Sequence, residues 1–162
     1  MKWAVLSICL VLIIIGCATG ISRQVRSQVT YNGPFAELQK APDEHLGEIV
    51  ILGGKIIETK GSETSSEITV LQLPLDRKDR PQDGDRSEGR YLVRSEQFLD
   101  PAIYQEGSLL TVVGRLSTSE VRSIGGFQYV YPLVETIEIK LWPRARQASP
   151  SIHFGVGVGT WF

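Results

Sequence analysis

Five stretches of the chain are rich in apolar and β-branched residues, and in three of them the apolar residues lie at alternate positions. The clearest lies near the end, where Ile137, Ile139 and Leu141 alternate with Thr, Glu and Lys side chains. A repeat of two residues is typical of a β-strand with one buried face. The sequence therefore predicts five strands, at residues 48–58, 67–75, 90–94, 109–116 and 134–142.

Glycines inside two of these stretches predict bends. Gly53-Gly54 interrupts the first strand and Gly114 the fourth, and glycine in a β-branched run favours a bulge or a sharp bend. The segment 117–126 is rich in small residues and is expected to be a loop. The residues of the fourth strand expected to face inward are Leu110, Val112 and Leu116.

A short helical segment is predicted before the first strand, at residues 35–40. Pro34 suits the start of a helix. Phe35 and Leu38 are three residues apart and therefore share one face.

The order of elements favours a small barrel. A short helix is predicted between the third and fourth strands, because Asp100 suits an N-cap and Gly107 suits a helix end; its Ile103 and Tyr104 are expected to pack on the sheet. This order, with bends in the first and fourth strands, is that of an OB-fold barrel. The predicted fold is all-β with one short helix, a five-stranded OB-like small barrel; a β-sandwich and an open barrel are the alternatives.

The beginning of the chain has the pattern of a secretory signal. Lys2 is followed by an apolar run of about 13 residues, which rises only ~20 Å as a helix and is short of the ~30 Å hydrocarbon core. Ile14-Ile15-Gly16-Cys17 resembles a bacterial lipobox. That resemblance implies cleavage before Cys17, diacylglycerol on its thiol and an acyl chain such as palmitate on its new amine. An uncleaved membrane helix and a signal cut elsewhere are the alternatives.

A lipidated cysteine sets the expected organisation of the chain. Two or more acyl chains anchor a small protein stably to a membrane. Ala18, in place of the aspartate that retains such proteins at the inner membrane, implies the outer membrane. The expected parts are a signal peptide (1–16), lipidated Cys17 with a tether (17–33), a barrel domain (34–142), and a linker with a glycine-rich tail (143–162).

Composition and motifs exclude several functions. With 17 basic and 18 acidic residues the net charge is −1, so no nucleic acid partner is expected. Cys9 would leave with the signal and Cys17 would be acylated, which leaves no thiol for a disulfide or a metal. His45 and His153 lie in predicted loop or tail, and no metalloprotease or serine-hydrolase motif occurs. We expect neither an enzyme, nor a metal, nor a cofactor beyond the covalent lipid.

The charged loop from Asp76 to Gly89 invites two interpretations. Asp83-Gly84-Asp85 offers carboxylates of the kind that bind calcium. However, the full ligand spacing is missing and four basic side chains intervene. A solvated hairpin tip is therefore the favoured interpretation.

Four aromatic residues form a candidate ligand face. Phe127, Tyr129 and Tyr131 share one face at a spacing of two, and Tyr91 lies in the third predicted strand. OB-like barrels bind oligosaccharides or oligonucleotides on one face. The alternative is that these rings pack within the barrel and its loops.

The end of the chain, from Ile152 to Phe162, alternates apolar residues with glycines. A lone strand cannot span lipid, because its backbone groups would stay unpaired. The segment is therefore expected to be an extra strand of the barrel, a strand that pairs with an envelope protein partner, or a mobile tail. The hypothesis of an interaction strand rests on the alternation.

An ordered set of short motifs is similar to one known family. The motifs are Gly53-Gly54-Lys55-Ile56, Leu73-Pro74-Leu75-Asp76, Gly89-Arg90, Phe98-Leu99-Asp100-Pro101 with Tyr104, Thr111-Val112-Val113-Gly114, Tyr131-Pro132 and Leu141-Trp142. Between about Phe35 and Trp142 the chain thus resembles the Slp family of outer-membrane lipoproteins. The resemblance implies a lipid-anchored envelope protein of Gram-negative bacteria, associated with starvation or stationary phase, and it implies no catalytic residues.

The expected function is that of an outer-membrane lipoprotein that faces the periplasm and has a structural or interaction role in the envelope. Its membrane contact would be the lipid anchor on Cys17. The alternative is a module that binds an envelope glycan or lipid. Exposed aromatic rings would favour the alternative.

Overall fold

The computed structural model describes residues 20–143 and places nearly half of them in five strands. The strands are β1 (Ile49–Gly61), β2 (Ser66–Leu73), β3 (Arg90–Ser95), β4 (Leu109–Ile124) and β5 (Phe127–Leu141). The helices are α1 (Arg23–Arg26), α2 (Phe35–Lys40) and a 3₁₀ helix (Pro42–His45). None of the described helices has the length and apolar character needed to cross a bilayer. The predicted signal, Cys17 and the glycine-rich tail lie outside the described residues.

The strands close into one barrel in the order β1-β2-β3-β5-β4, with β4 paired back to β1. All neighbours are antiparallel except β3 and β5, which pair in parallel over three residues, Leu92–Arg94. The predicted all-β fold and five-stranded small barrel are confirmed. Closure excludes both the sandwich and the open barrel.

Alternate residues of every strand fill the barrel interior. Leu110, Val112 and Leu116 are fully buried, as their alternation predicts. Phe35 and Leu38 of α2 join this core from outside the sheet, which confirms that they share a buried face. Full burial of one such apolar side chain contributes roughly 1.5–3 kcal/mol.

β4 and β5 continue far beyond the barrel wall as a two-stranded hairpin. Pairing extends from Thr118 with Leu133 to Ile124 with Phe127. The loop predicted at 117–126 is therefore wrong except for the turn Gly125-Gly126, whose φ angles are +54° and +90°. The polar residues of β4 here gave no apolar repeat, although cross-strand pairing holds them in a strand. We call residues 117–132 the arm.

The helix predicted at 100–107 is also wrong, because the segment forms turns. The amides of Ile103 and Tyr104 both donate to the carbonyl of Asp100, and the Asp100 carboxylate accepts from the amide of Ala102. The helical hydrogen-bond ladder does not continue beyond this turn, because the amide of Gly107 donates to the carbonyl of Ile56 in β1, and Gly107 has φ +79°. Ile103 is 60% exposed and so does not pack on the sheet, whereas Tyr104 is partly buried against the core.

The start of the described chain packs on the barrel instead of forming a free tether. Ile21 is 7% exposed. The amide and hydroxyl of Ser22 donate to the two carboxylate oxygens of Glu138 on β5, at 2.9 and 2.6 Å. The expected tether at 17–33 is therefore not free over residues 20–30, because these contacts fix it to the barrel.

The first part of the charged loop covers the outer face of β1 and β4. Leu75 and Pro81 form an isolated bridge and lie against Gly53. Thr111 donates its hydroxyl to the carbonyl of Asp79 at 2.5 Å, and Asp79 is only 8% exposed. The solvated tip predicted for the whole loop therefore applies in full only to residues 82–88, whereas the segment 75–81 lies on the barrel with Asp79 and Pro81 buried and with residues 76–78 and 80 exposed.

Gly114 lies where another strand approaches too closely for a side chain. It is at a bulge between β4 and β5, and a Cβ there would overlap the Glu135 carbonyl oxygen. A Cβ on Gly54 of β1 would likewise overlap the Leu71 carbonyl oxygen, although the bulge of β1 lies further along, between Ile56 and Glu58. The glycines predicted to mark bends thus permit close strand contact.

Gly114→Ala is expected to lower the free energy of unfolding by about 1–3 kcal/mol, because the added methyl group overpacks the wall. Urea denaturation measures the change. Gly84→Ala is the matched control, since a Cβ at Gly84 meets no atom within 4 Å and should shift stability by no more than about 0.5 kcal/mol. Equal losses in the two variants would contradict this account.

Candidate functional site

Tyr91, one of the four candidate ligand residues, lies inside the barrel. It is fully buried, its ring is 5.7 Å from that of Phe35, and burial raises the pKa of its hydroxyl far above the usual range. Within residues 20–143 this hydroxyl has no hydrogen-bond partner. A ligand on the barrel surface cannot reach it, so Tyr91 does not belong to an exposed aromatic face.

The other three aromatic residues lie together on the arm but differ in exposure. Tyr131 is 5% exposed and packs edge-on against Tyr129, with ring centroids 4.8 Å apart. Phe127 is 81% exposed at the hairpin tip. Tyr131 therefore supports the arm, and the accessible rings are those of Phe127 and Tyr129.

The arm folds across the outer face of β3. Leu92 points outward from the barrel, yet Tyr131 and Leu133 bury it completely, with Ile124 packed alongside. The Tyr129 hydroxyl accepts a hydrogen bond of 2.7 Å from the amide of Arg90. These contacts hold the arm in one position against the barrel.

A cleft of about 500 Å³ opens between the arm, α2 and the end of the charged loop. Its lining combines an aromatic rim with polar and charged groups. The lining residues include Gln39, Leu71, Glu88, Arg90, Phe127 and Tyr129.

A second groove of about 480 Å³ lies where the parallel pairing of β3 and β5 ends. Arg94, Arg115 and Glu135 give it charged walls, and the exposed Ile137 lies on its rim. The Thr136 hydroxyl is buried at this point without a hydrogen-bond partner among the described residues. No pattern in the sequence predicts this groove, because it follows from the short β3–β5 ladder.

Four charged side chains fasten the arm to β2 and β3. Arg122 contacts Glu67 at 2.7 Å and Glu120 at 2.6 Å. Arg94 contacts the same two carboxylates at 3.2 and 2.9 Å. The hydrogen bond from Arg122 is the main cause that lowers the pKa of both Glu67 and Glu120. We call this set the arm clamp; sequence reasoning missed it because its members are up to 55 residues apart.

The remaining candidate chemistry is sparse in the described chain. His45 contacts Glu48 at 3.4 Å and packs edge-on against Tyr31. Asp83 of the proposed calcium motif pairs with Lys55 at 2.5 Å. Among residues 20–143 no three His, Cys, Asp or Glu side chains are placed to hold a metal ion. His153 and the segment from Ile152 to Phe162 lie outside that range.

Glu67→Gln is expected to lower the free energy of unfolding by about 1 kcal/mol at neutral pH, because a network of ion pairs contributes more stability than an isolated surface pair. The folded pKa of Glu67 is lowered, so its contribution exists above the unfolded pKa of about 4.3 and is lost as the pH falls through the folded pKa. Urea unfolding from pH 7 to pH 3 measures this.

The gap between the wild type and Glu67→Gln should therefore close in acid. Glu63→Gln is the control, because Glu63 is exposed and makes no ion pair within the described chain. A gap that stays constant with pH would contradict the arm clamp.

Comparison with known proteins finds one matching family and several relatives. The model of the outer membrane lipoprotein Slp family matches residues 14–161. The uncharacterized lipoprotein YeaY of Escherichia coli is 27% identical over 84% of this chain and 70% of its own length. The E. coli outer membrane protein Slp is 27% identical over 67% of this chain and 57% of its own length.

An uncharacterized protein of Haemophilus influenzae is 33% identical over 57% of this chain and 51% of its own length. The chain thus spans little more than half the length of this relative and of Slp. The family match covers nearly the whole sequence, including Cys17 and the barrel. The chain therefore belongs to the Slp family of outer membrane lipoproteins.

Proposed function

We propose that this chain is acylated on Cys17 and holds its barrel at the periplasmic face of the outer membrane, as an interaction or structural lipoprotein of the envelope. Family membership supports the outer-membrane lipoprotein. The lipobox-like Ile14-Ile15-Gly16-Cys17 supports the acylation site. Diacylglycerol and an N-linked acyl chain would be its membrane contact.

The observation that carries the interaction role is the exposed ring of Phe127. It is 81% exposed at the tip of the arm, and Val121 on the same arm is 61% exposed. The arm clamp and the buried Tyr131 fix the position of this tip, so a partner would meet a preformed apolar surface. Aromatic side chains of this kind often supply most of the binding energy at protein interfaces.

Two further parts of the proposal concern the tail and the physiological role. The alternation from Ile152 to Phe162 supports a second contact with an envelope protein partner. The resemblance to the Slp family supports a role in starvation or stationary phase. Neither part depends on the geometry of the arm.

A glycan- or lipid-binding module is the second candidate. Phe127 and Tyr129 line a cleft that also contains Glu88 and Arg90, and this combination of rings and polar groups would suit a sugar. The binding face is smaller than the four aromatic residues suggested, because Tyr91 and Tyr131 are buried.

Cys17→Ser is expected to abolish incorporation of radioactive palmitate and to leave the signal uncleaved, because serine has no thiol for the diacylglycerol. Metabolic labelling and the apparent mass on a gel measure both effects. Cys9→Ser is the matched control and should be labelled normally, since residue 9 leaves with the signal. Undiminished labelling of Cys17→Ser would refute the anchor.

A photo-crosslinking amino acid at Phe127 is expected to give a discrete adduct in intact cells. The same amino acid at Ile103 is the control, because Ile103 is exposed and apolar but lies on the 100–107 turns. Gel electrophoresis after irradiation measures the adducts.

The treatment that removes the adduct separates the two candidate functions. Protease-sensitive mass added at Phe127 indicates a protein partner, and loss of the added mass on muramidase digestion indicates a glycan. If positions 127 and 103 give the same pattern, the arm is not the interaction surface.

A further inference from the structure

The first described residues, from Gly20 to the end of α1, contact the barrel on one surface. A Cβ on Gly20 would lie 3.3 Å from the carbonyl oxygen of Lys78, and Arg26 of α1 forms an ion pair with Asp79. Arg80 lies 5.6 Å from the centre of the Trp142 ring, and Lys140 lies 6.0 Å from it. We call the surface made by α1, residues 76–80, Glu138, Lys140 and Trp142 the anchor face.

Little chain separates the anchor face from the proposed lipidation site. Cys17 precedes Gly20 by three residues, and an extended chain spans at most ~3.6 Å per residue. Residue 17 is therefore within roughly 11 Å of Gly20. This step rests on the proposed acylation of Cys17, which holds that residue in the bilayer interface.

The anchor face carries more positive than negative charge, although the whole chain has a net charge of −1. Its acidic side chains are Asp76, Asp79 and Glu138, and its basic ones are Arg23, Arg26, Arg77, Lys78, Arg80 and Lys140.

The acidic groups of this face already have partners within the protein. Asp79 pairs with Arg26, and Glu138 accepts two hydrogen bonds from Ser22. Asp76 accepts the amides of the loop residues two and four positions later. With six basic side chains against these three acidic ones, the surplus on the face is positive.

Three of the basic groups are available to an external anion. Arg23, Arg77 and Lys78 are exposed, and none of them forms an ion pair with another residue of the 20–143 range. Arginine and lysine both bind phosphate oxygens. A surface at physiological ionic strength attracts such groups over about 8 Å, which is comparable to the reach of residues 17–20.

We propose that the anchor face lies against the bilayer, with Arg23, Arg77 and Lys78 among the headgroups of anionic phospholipids. The barrel then has a fixed orientation on the membrane. The arm covers the outer face of β3, whereas the anchor face covers that of β1 and β4, so Phe127 is directed away from the lipid.

The test uses the full lipidated protein in vesicles of phosphatidylcholine mixed equally with phosphatidylglycerol. Gln24→Cys places a fluorophore on α1, and the matched Gln128→Cys places it on the arm; both glutamines are exposed. With Cys9 removed and Cys17 acylated, the introduced thiol is the only one. A lipid with a nitroxide on its headgroup quenches probes that lie near the surface.

The probe at residue 24 is expected to be quenched about threefold or more relative to that at residue 128, and the difference should shrink in pure phosphatidylcholine. The double change Arg77→Gln with Lys78→Gln should also reduce the difference in quenching between the two probes, because each basic residue strengthens the attraction to an anionic surface about fivefold. Lys40→Gln with Arg86→Gln removes the same charge outside the anchor face and should leave it unchanged.

Flotation of the vesicles separates failure of this proposal from failure of the anchor. Protein that floats but shows equal quenching at residues 24 and 128 is anchored without the proposed orientation, which overturns the inference alone. Equal effects of the two double variants would overturn the role of Arg77 and Lys78. Protein that does not float overturns both the acylation of Cys17 and the orientation built on it.

Discussion

The outward-facing apolar residues of a small barrel must be covered, and the rest of this structure follows from that requirement. Five strands enclose too little volume for all the apolar side chains of the chain. Leu92, Thr111 and Val113 are fully buried, although they occupy positions next to the inward-facing residues of their strands. Two outer layers cover them: the arm lies over β3, and the start of the chain lies with the charged loop over β1 and β4. Each layer contains a polar interaction that fixes it, since unpaired charges would be costly at these partly buried positions.

The barrel wall could be predicted because its signal is local. Leu110, Val112 and Leu116 are separated by even numbers of residues and so share one face of a strand. The β-branched runs around Gly53-Gly54 identify β1 without any knowledge of its neighbours. The outer layers could not be predicted, because their contacts join residues that are distant in the sequence. Polar residues of the arm carry no apolar repeat and become a strand only by pairing with β5. The candidate site could be predicted only in part. The local spacing predicts that Phe127 and Tyr129 share one face, but it cannot indicate that Tyr91 points into the core, because that depends on distant residues.

Each of the two outer layers suits a different part of the proposed function. The layer that begins at Gly20 is short, basic and close to Cys17, and it suits a flat charged surface. The arm carries an exposed aromatic ring beside a cleft of about 500 Å³, and it suits a partner with shape. A lipoprotein that binds a partner needs both: one side in contact with the membrane and another side accessible to the partner. Because the arm clamp and Tyr131 fix the tip before binding, little conformational entropy is lost when a partner arrives.

The packing of α1 on the barrel has a mechanical consequence if the chain is tethered through Cys17, as proposed above. A pull transmitted through residue 17 would then reach side-chain contacts of the first described residues before it reached the backbone hydrogen bonds of the sheet. It loads the two hydrogen bonds between Ser22 and Glu138 first, then the Arg26–Asp79 pair, and only later the hydrogen bond from the Ile49 amide to Thr30 at the start of β1. These outer contacts would therefore break under load before the closed barrel does.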